Sequence, residues 1–91
     1  MCYFRTSAFK KAFKNLSHER QNRVLQALGI LETLFEKQEN PIGLGLKQLK
    51  HGIWEIRSGL KDRVLFRRER DEIQFLTVGD HDDIRRALKN T

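Results

Sequence analysis

The sequence is poor in the devices that staple or segment a chain. Its 91 residues contain one cysteine, Cys2, so no disulfide can form within the chain, and a reducing, cytoplasmic setting is expected. Pro41 is the only proline, and there is no internal repeat or low-complexity tract. No run approaches the roughly 20 apolar residues of a membrane helix. The start, Met1–Lys14, also lacks the uninterrupted apolar stretch of a secretory signal, so no membrane partner is expected. Acidic residues are scarce: 12 Asp and Glu stand against 18 Lys and Arg, a net charge of +6 at pH 7. A domain with that excess either sits on a polyanion or pairs with an acidic partner. Arginines outnumber lysines ten to eight, and the planar Arg fork suits phosphate oxygens better than a point charge does.

What is present is enough for one modest core. Hydrophobic residues make up 38% and aromatics 9%, too many for a disordered tail, and residues 1–91 are expected to form a single domain. Cys2–Arg5 reads as a short strand. Thr6 or Ser7 caps a helix whose stripe is Phe9, Phe13 and Leu16, with Lys10, Lys11 and Lys14 turned away. Ser17 caps a second helix, in which Val24, Leu28, Leu31 and Phe35 recur at three- and four-residue spacing. Asn40-Pro41 is expected to end that helix. A glycine-punctuated loop, Gly43–Gly52, follows and carries Lys47, Lys50 and His51. The period then switches to alternation, predicting strands over Ile53–Ser58, Asp62–Glu69 and Glu72–Gly79 joined as an antiparallel meander. The last strand is apolar on both faces, so it is expected to be covered on two sides. Asp80 caps a closing helix. The expected class is α+β in the order β-α-α-β-β-β-α, a helical hairpin packed on a four-stranded, mainly antiparallel sheet. Phe9, Phe13, Leu28, Leu31, Trp54, Ile56, Val64 and Phe66 form its core.

Alternation also sorts the strand side chains. With Trp54, Ile56, Val64 and Phe66 in the core, Glu55, Arg57, Arg63 and Arg67 gather on the opposite face, which is expected to be open. Lys47, Lys50 and His51 lead into it, and His81 stands at its edge. That inventory suits internal cleavage of RNA, which needs the 2′-hydroxyl deprotonated, the phosphorane charge stabilised and the 5′-oxygen protonated. Arg57 and Arg63 supply charge, and Glu55 or His81 carries protons. At any single position a cross-strand ion pair is the commoner role for such an Arg and Glu. His81, Asp82 and Asp83 diverge in direction and capping accounts for both aspartates, so no metal or other cofactor is expected. Gly43-Leu44-Gly45 lacks the Gly-Lys-Ser/Thr and the strand–helix frame of a phosphate loop. No Ser or Cys has a His or carboxylate framework to activate it.

The stretch GLKQLKHGIWEIRSGLKDRVLFRRERDEIQFLTVGDHDDIRR, Gly45 to Arg86, resembles the RelE/ParE toxins of type II toxin–antitoxin systems. The likeness lies in the segment from Leu46 to Arg57, the strand from Asp62 to Arg67, and an apolar strand ending in Gly79 and a turn with His81. The resemblance implies a microbial-RNase-like fold and, for the RelE-like branch, mRNA cleavage in the ribosomal decoding site. For the ParE-like branch it implies poisoning of DNA gyrase by binding, without nuclease activity. A toxin-like domain without activity is the remaining alternative. The resemblance makes Arg63 the arginine at the scissile phosphate, Arg57 a supporting cation, and His81 the basic residue after the last strand. Lys47, Lys50, His51 and Arg67 become RNA contacts. No tyrosine follows Tyr3, although many nuclease members carry one near the C-terminus, and Glu55 stands where the best-known branch has a strand lysine. The implied partners are an acidic antitoxin and mRNA on the ribosome, with the toxin a monomer or part of a toxin–antitoxin hetero-oligomer.

Overall fold

A computed structural model describes residues 1–37, 39 and 44–90 of the chain. The elements are β1 (Cys2–Arg5), α1 (Ser7–Lys14), α2 (His18–Glu36), β2 (Lys47–Lys50), β3 (Ile53–Arg57), β4 (Arg63–Glu69), β5 (Glu72–Gly79) and α3 (His81–Lys89). All five strands join one sheet in the order β1-β5-β4-β3-β2. β2 to β5 form the antiparallel meander, and β1 runs parallel to β5. That parallel pairing needs a crossover, which the helices supply.

The starts of the helices follow from their caps. The Thr6 hydroxyl accepts from Phe9 N and itself donates to Phe75 O at 3.0 Å, fixing α1 to the sheet as well as starting it. The Ser17 hydroxyl accepts from Arg20 N at 3.3 Å. α2 ends at Glu36 with Lys37 as its cap; the expected break at Asn40-Pro41, and Gly43, lie outside the described residues.

The main core lies between α1, α2 and one sheet face. Phe9, Leu28, Leu31, Ile56, Val64, Phe66, Ile73 and Phe75 are buried there. Phe66 meets Phe35 and Phe75 edge-on, each with ring centroids 6.3 Å apart, a favoured aromatic geometry. Phe13 and Trp54, expected inside, are only half-buried. Trp54 pairs with the edge strand β2, where little lies beyond it.

Two expectations are corrected. Lys47–Lys50, read as loop, is a fifth strand on the edge of the sheet. Four residues with Leu49 as the only apolar one are too few for alternation to show. The second sheet face is not open: α3 packs across it, with Ile84, Ala87 and Leu88 against Ile53, Leu65, Leu49 and Leu76. The reason is Leu65. It lies between Val64 and Phe66 and points the other way, so β4, like β5, has apolar residues on both faces and both must be covered.

Candidate functional site

α3 divides the second face into two basic regions. At its start, cross-strand register sets Arg57 opposite Arg63, and Glu55 opposite Leu65 on one side and Lys47 on the other. In an antiparallel pair, partners share a face, so Lys47, Glu55, Arg57 and Arg63 converge there. Two arginines directly opposite each other repel, and an anion between them removes that cost. Arg63 Nη1 lies 2.8 Å from His81 Nδ1 and 3.6 Å from Glu55 Oε1. A guanidinium has only donors, so Nδ1 accepts and the ring proton is on Nε2. The Glu55 side chain is 8% exposed and that of Arg63 23%, so the arginine, not the carboxylate, meets solvent. Arg57 and His81 are exposed.

Other residues hold this cluster in place. Asp62, next to Arg63, is buried and takes a fork from α2: Arg20 Nε to Asp62 Oδ2 at 2.8 Å and Arg20 Nη2 to Asp62 Oδ1 at 2.5 Å. That bond pushes the Arg20 pKa up from its ordinary value. Gly45 is at φ 63°, and a Cβ there would stand 3.1 Å from Arg57 Cγ and Cδ; the glycine serves both the left-handed backbone and the arginine stem lying on it. At the start of α3, Asp80 accepts from Asp83 N at 2.9 Å while Asp83 accepts from Asp80 N at 3.0 Å, a reciprocal capping box. The Asp83 N–H bond holds the Asp80 carboxyl below its usual range. A Cβ on Gly79 would stand 2.5 Å from Asp83 Oδ2, so only glycine admits the aspartate that fixes this turn, and with it His81.

Arg20→Ala should therefore leave the buried Asp62 charge without its fork. The expected loss is about 1.5–3 kcal/mol, the range for hydrogen bonds to charged groups, because Arg20 itself is 29% exposed. Arg20→Lys should restore only part of it, since a point charge lacks the bidentate geometry. Urea unfolding midpoints of the three proteins check this.

Lys50, His51 and Arg67 lie in the other region, towards the end of α3. They border a cavity of about 620 Å³ that also includes Arg68 and Arg70. Lys50 Nζ donates to Leu88 O at 2.9 Å, placing a cation at the negative end of α3. The eight residues expected to act together thus form two groups: Lys47, Glu55, Arg57, Arg63 and His81 in one, Lys50, His51 and Arg67 in the other. Sequence reasoning missed Arg20, Asp62 and Gly45. The Arg20–Asp62 pair is 42 positions apart and leaves no local signal. Among the described residues no group of three or more His, Cys, Asp or Glu is arranged to hold a metal ion. No described helix is long and apolar enough to cross a membrane.

No family model matches the sequence, and no curated protein matches it significantly. Solved structures do match over nearly the whole chain. The toxin in a RelB–RelE antitoxin–toxin complex from Methanococcus jannaschii superposes with a TM-score of 0.70 at 20% identity, covering 91% of this chain and 95% of that one. A copper-bound mutant toxin from Helicobacter pylori gives 0.66 at 16% identity, covering 92% and 98%. YafQ from Escherichia coli gives 0.64 at 16% identity, covering 90% and 94%. The chain has the fold of RelE-like toxins.

Proposed function

We propose that this protein is the toxin of a type II toxin–antitoxin pair and that it cleaves mRNA held on the ribosome. The observation that carries the reading is Arg63, partly exposed on a rigid strand, facing Arg57 and touching Glu55 and His81. Scissile phosphate oxygens entering between the two arginines relieve their repulsion. They take the Arg63 fork through two parallel hydrogen bonds. This frees His81 Nδ1, which is then able to accept a proton. The 2′-hydroxyl gives its proton to His81 Nδ1 as its oxygen attacks phosphorus; one P–O bond forms, the bond to the 5′-oxygen breaks, and that oxygen leaves with a proton from the resulting imidazolium. Arg57 and Arg63 stabilise the charge that builds up on the phosphorane. Buried Glu55 keeps Arg63 aimed, and Lys47 adds affinity for the backbone. The site holds no strong free base, so the ribosome's positioning of the strand carries much of the rate. An acidic antitoxin offsets the net charge of +6.

A gyrase poison draws on one observation, the lack of any tyrosine after Tyr3. The two readings separate in one experiment: induced expression, with primer extension on translating ribosomes alongside a gyrase supercoiling assay. The expected result is growth arrest with cut mRNA and unaffected supercoiling. Arrest with intact mRNA and inhibited supercoiling overturns the nuclease.

A further inference from the structure

The face of the sheet on the far side of α3 from Arg63 carries a second constellation. Register places Phe4 beside Gln74, Gln74 beside Arg67, Arg67 beside Ile53 and Ile53 beside Lys50, one row across all five strands. Phe4, Arg67, Ile53 and Lys50 of this row line three contiguous cavities. The basic cavity of about 620 Å³ shares Glu69 and Arg70 with one of about 570 Å³ that holds Cys2 and Phe4. It shares Arg67 with a third of about 360 Å³ that includes Leu65, Leu76 and Ala87. Arg67 is the junction, and its Nε is buried without a hydrogen-bond partner among the described residues. Phe4 is 51% exposed. One of the cations is already fixed, Lys50 on Leu88 O, whereas the Arg68 guanidinium is held over Phe35 on the other face. An ordered cation costs less entropy when a ligand binds.

We propose that this groove docks an extended acidic peptide, with a carboxylate on Arg67 and a large apolar side chain against Phe4. This rests on the antitoxin reading above and deepens it, because it names a surface remote from the nuclease cluster. The charges favour a peptide over RNA. Lys50, His51 and Arg67 lie at one end, whereas Glu69, Asp71 and Glu72 outnumber Arg70 at the Phe4 end and would repel a continuous phosphate backbone. Arg67 and Phe4 are two strand spacings apart, about 10 Å. A polyproline II chain rises about 3.1 Å per residue and returns to the same side every third residue, so the fitting pattern is an acidic residue followed three positions later by a large apolar one.

The test titrates the full chain with a synthetic peptide bearing glutamate three positions before phenylalanine, followed by amide NMR shifts. A peptide with the two residues adjacent and an oligouridylate of equal charge are compared with it. The spaced peptide should bind tightest and move the signals of Phe4 and residues 50–53 and 67–70, leaving Arg57 and Arg63 unmoved. Arg67→Ala and Phe4→Ala should each weaken it by roughly fivefold or more, as truncating an interface anchor does. Arg23→Ala, which removes a charge from α2, should not. Equal weakening by Arg23→Ala, no preference for the spaced peptide, or tighter oligouridylate binding in the groove each overturns the proposal. Peptide binding here in a protein that cuts no mRNA would overturn the nuclease reading and leave the groove standing.

Discussion

Phe66→Ala is expected to remove a third or more of the stability of this fold. Phe66 is fully buried at the middle of β4, and its ring is the shared partner of Phe35 and Phe75. Deleting it loses the transfer energy of the ring and leaves a cavity at the centre of the main core, about 3–5 kcal/mol for a Phe-to-Ala change. A domain of this length has roughly 5–9 kcal/mol in all, at about 0.05–0.1 kcal/mol per residue. The urea midpoint should fall by a third or more with an unchanged slope. Phe13→Ala should cost visibly less. That ring is only half-buried and is stacked on Phe9, with centroids 6.0 Å apart. Equal losses would mean that the core is not centred where β4 crosses under α2.

The contrast between Phe66 and Leu65 also shows which parts of the fold were legible from the sequence. Helix starts were readable because a cap is a local event. Ser17 and Asp80 each accept from an N–H three residues on, and the pattern lies within one turn. The meander was readable because apolar alternation begins near Gly52 and the turns are short. Coverage of the second face was read for β5, which is apolar on both sides, but not for β3 and β4. Alternation assigns every other residue of β4 to one core and is silent about Leu65, whose burial depends on α3 returning over the sheet. The candidate site divides the same way. Glu55, Arg57 and Arg63 share a face because strands have period two, and His81 follows β5 directly, so their meeting was foreseeable. The separation of Lys50, His51 and Arg67 from that cluster was not, because it is produced by α3 lying between them. Arg20 on Asp62 was equally hidden, being a contact between distant elements rather than a pattern.

Arg63→Ala is expected to slow mRNA cleavage on translating ribosomes by about 100-fold or more, by analogy with the loss of a single preorganised donor to a developing oxyanion. Arg63→Lys should recover little, because an ammonium cannot present two parallel bonds to a phosphate. Arg57→Ala and His81→Ala should each cost less than Arg63→Ala. Lys47→Ala should act mainly on affinity, raising KM with little change in kcat and flattening the salt dependence by roughly one unit of slope. The competing explanation is structural: without Arg63, the buried Glu55 carboxylate has lost its neighbouring cation, and an uncompensated buried charge destabilises a fold. The double variant Arg63→Ala with Glu55→Gln separates the two. Removing the charge should return the urea midpoint towards that of the wild type, because no anion is then left buried alone. Cleavage should stay as low as in Arg63→Ala, because the phosphate still lacks its fork. If activity returns together with stability, Arg63 holds the sheet together and does not meet the phosphate. If Glu55→Gln alone keeps the fold but lowers kcat without raising KM, the carboxylate aims the arginine, the role its burial assigns to it.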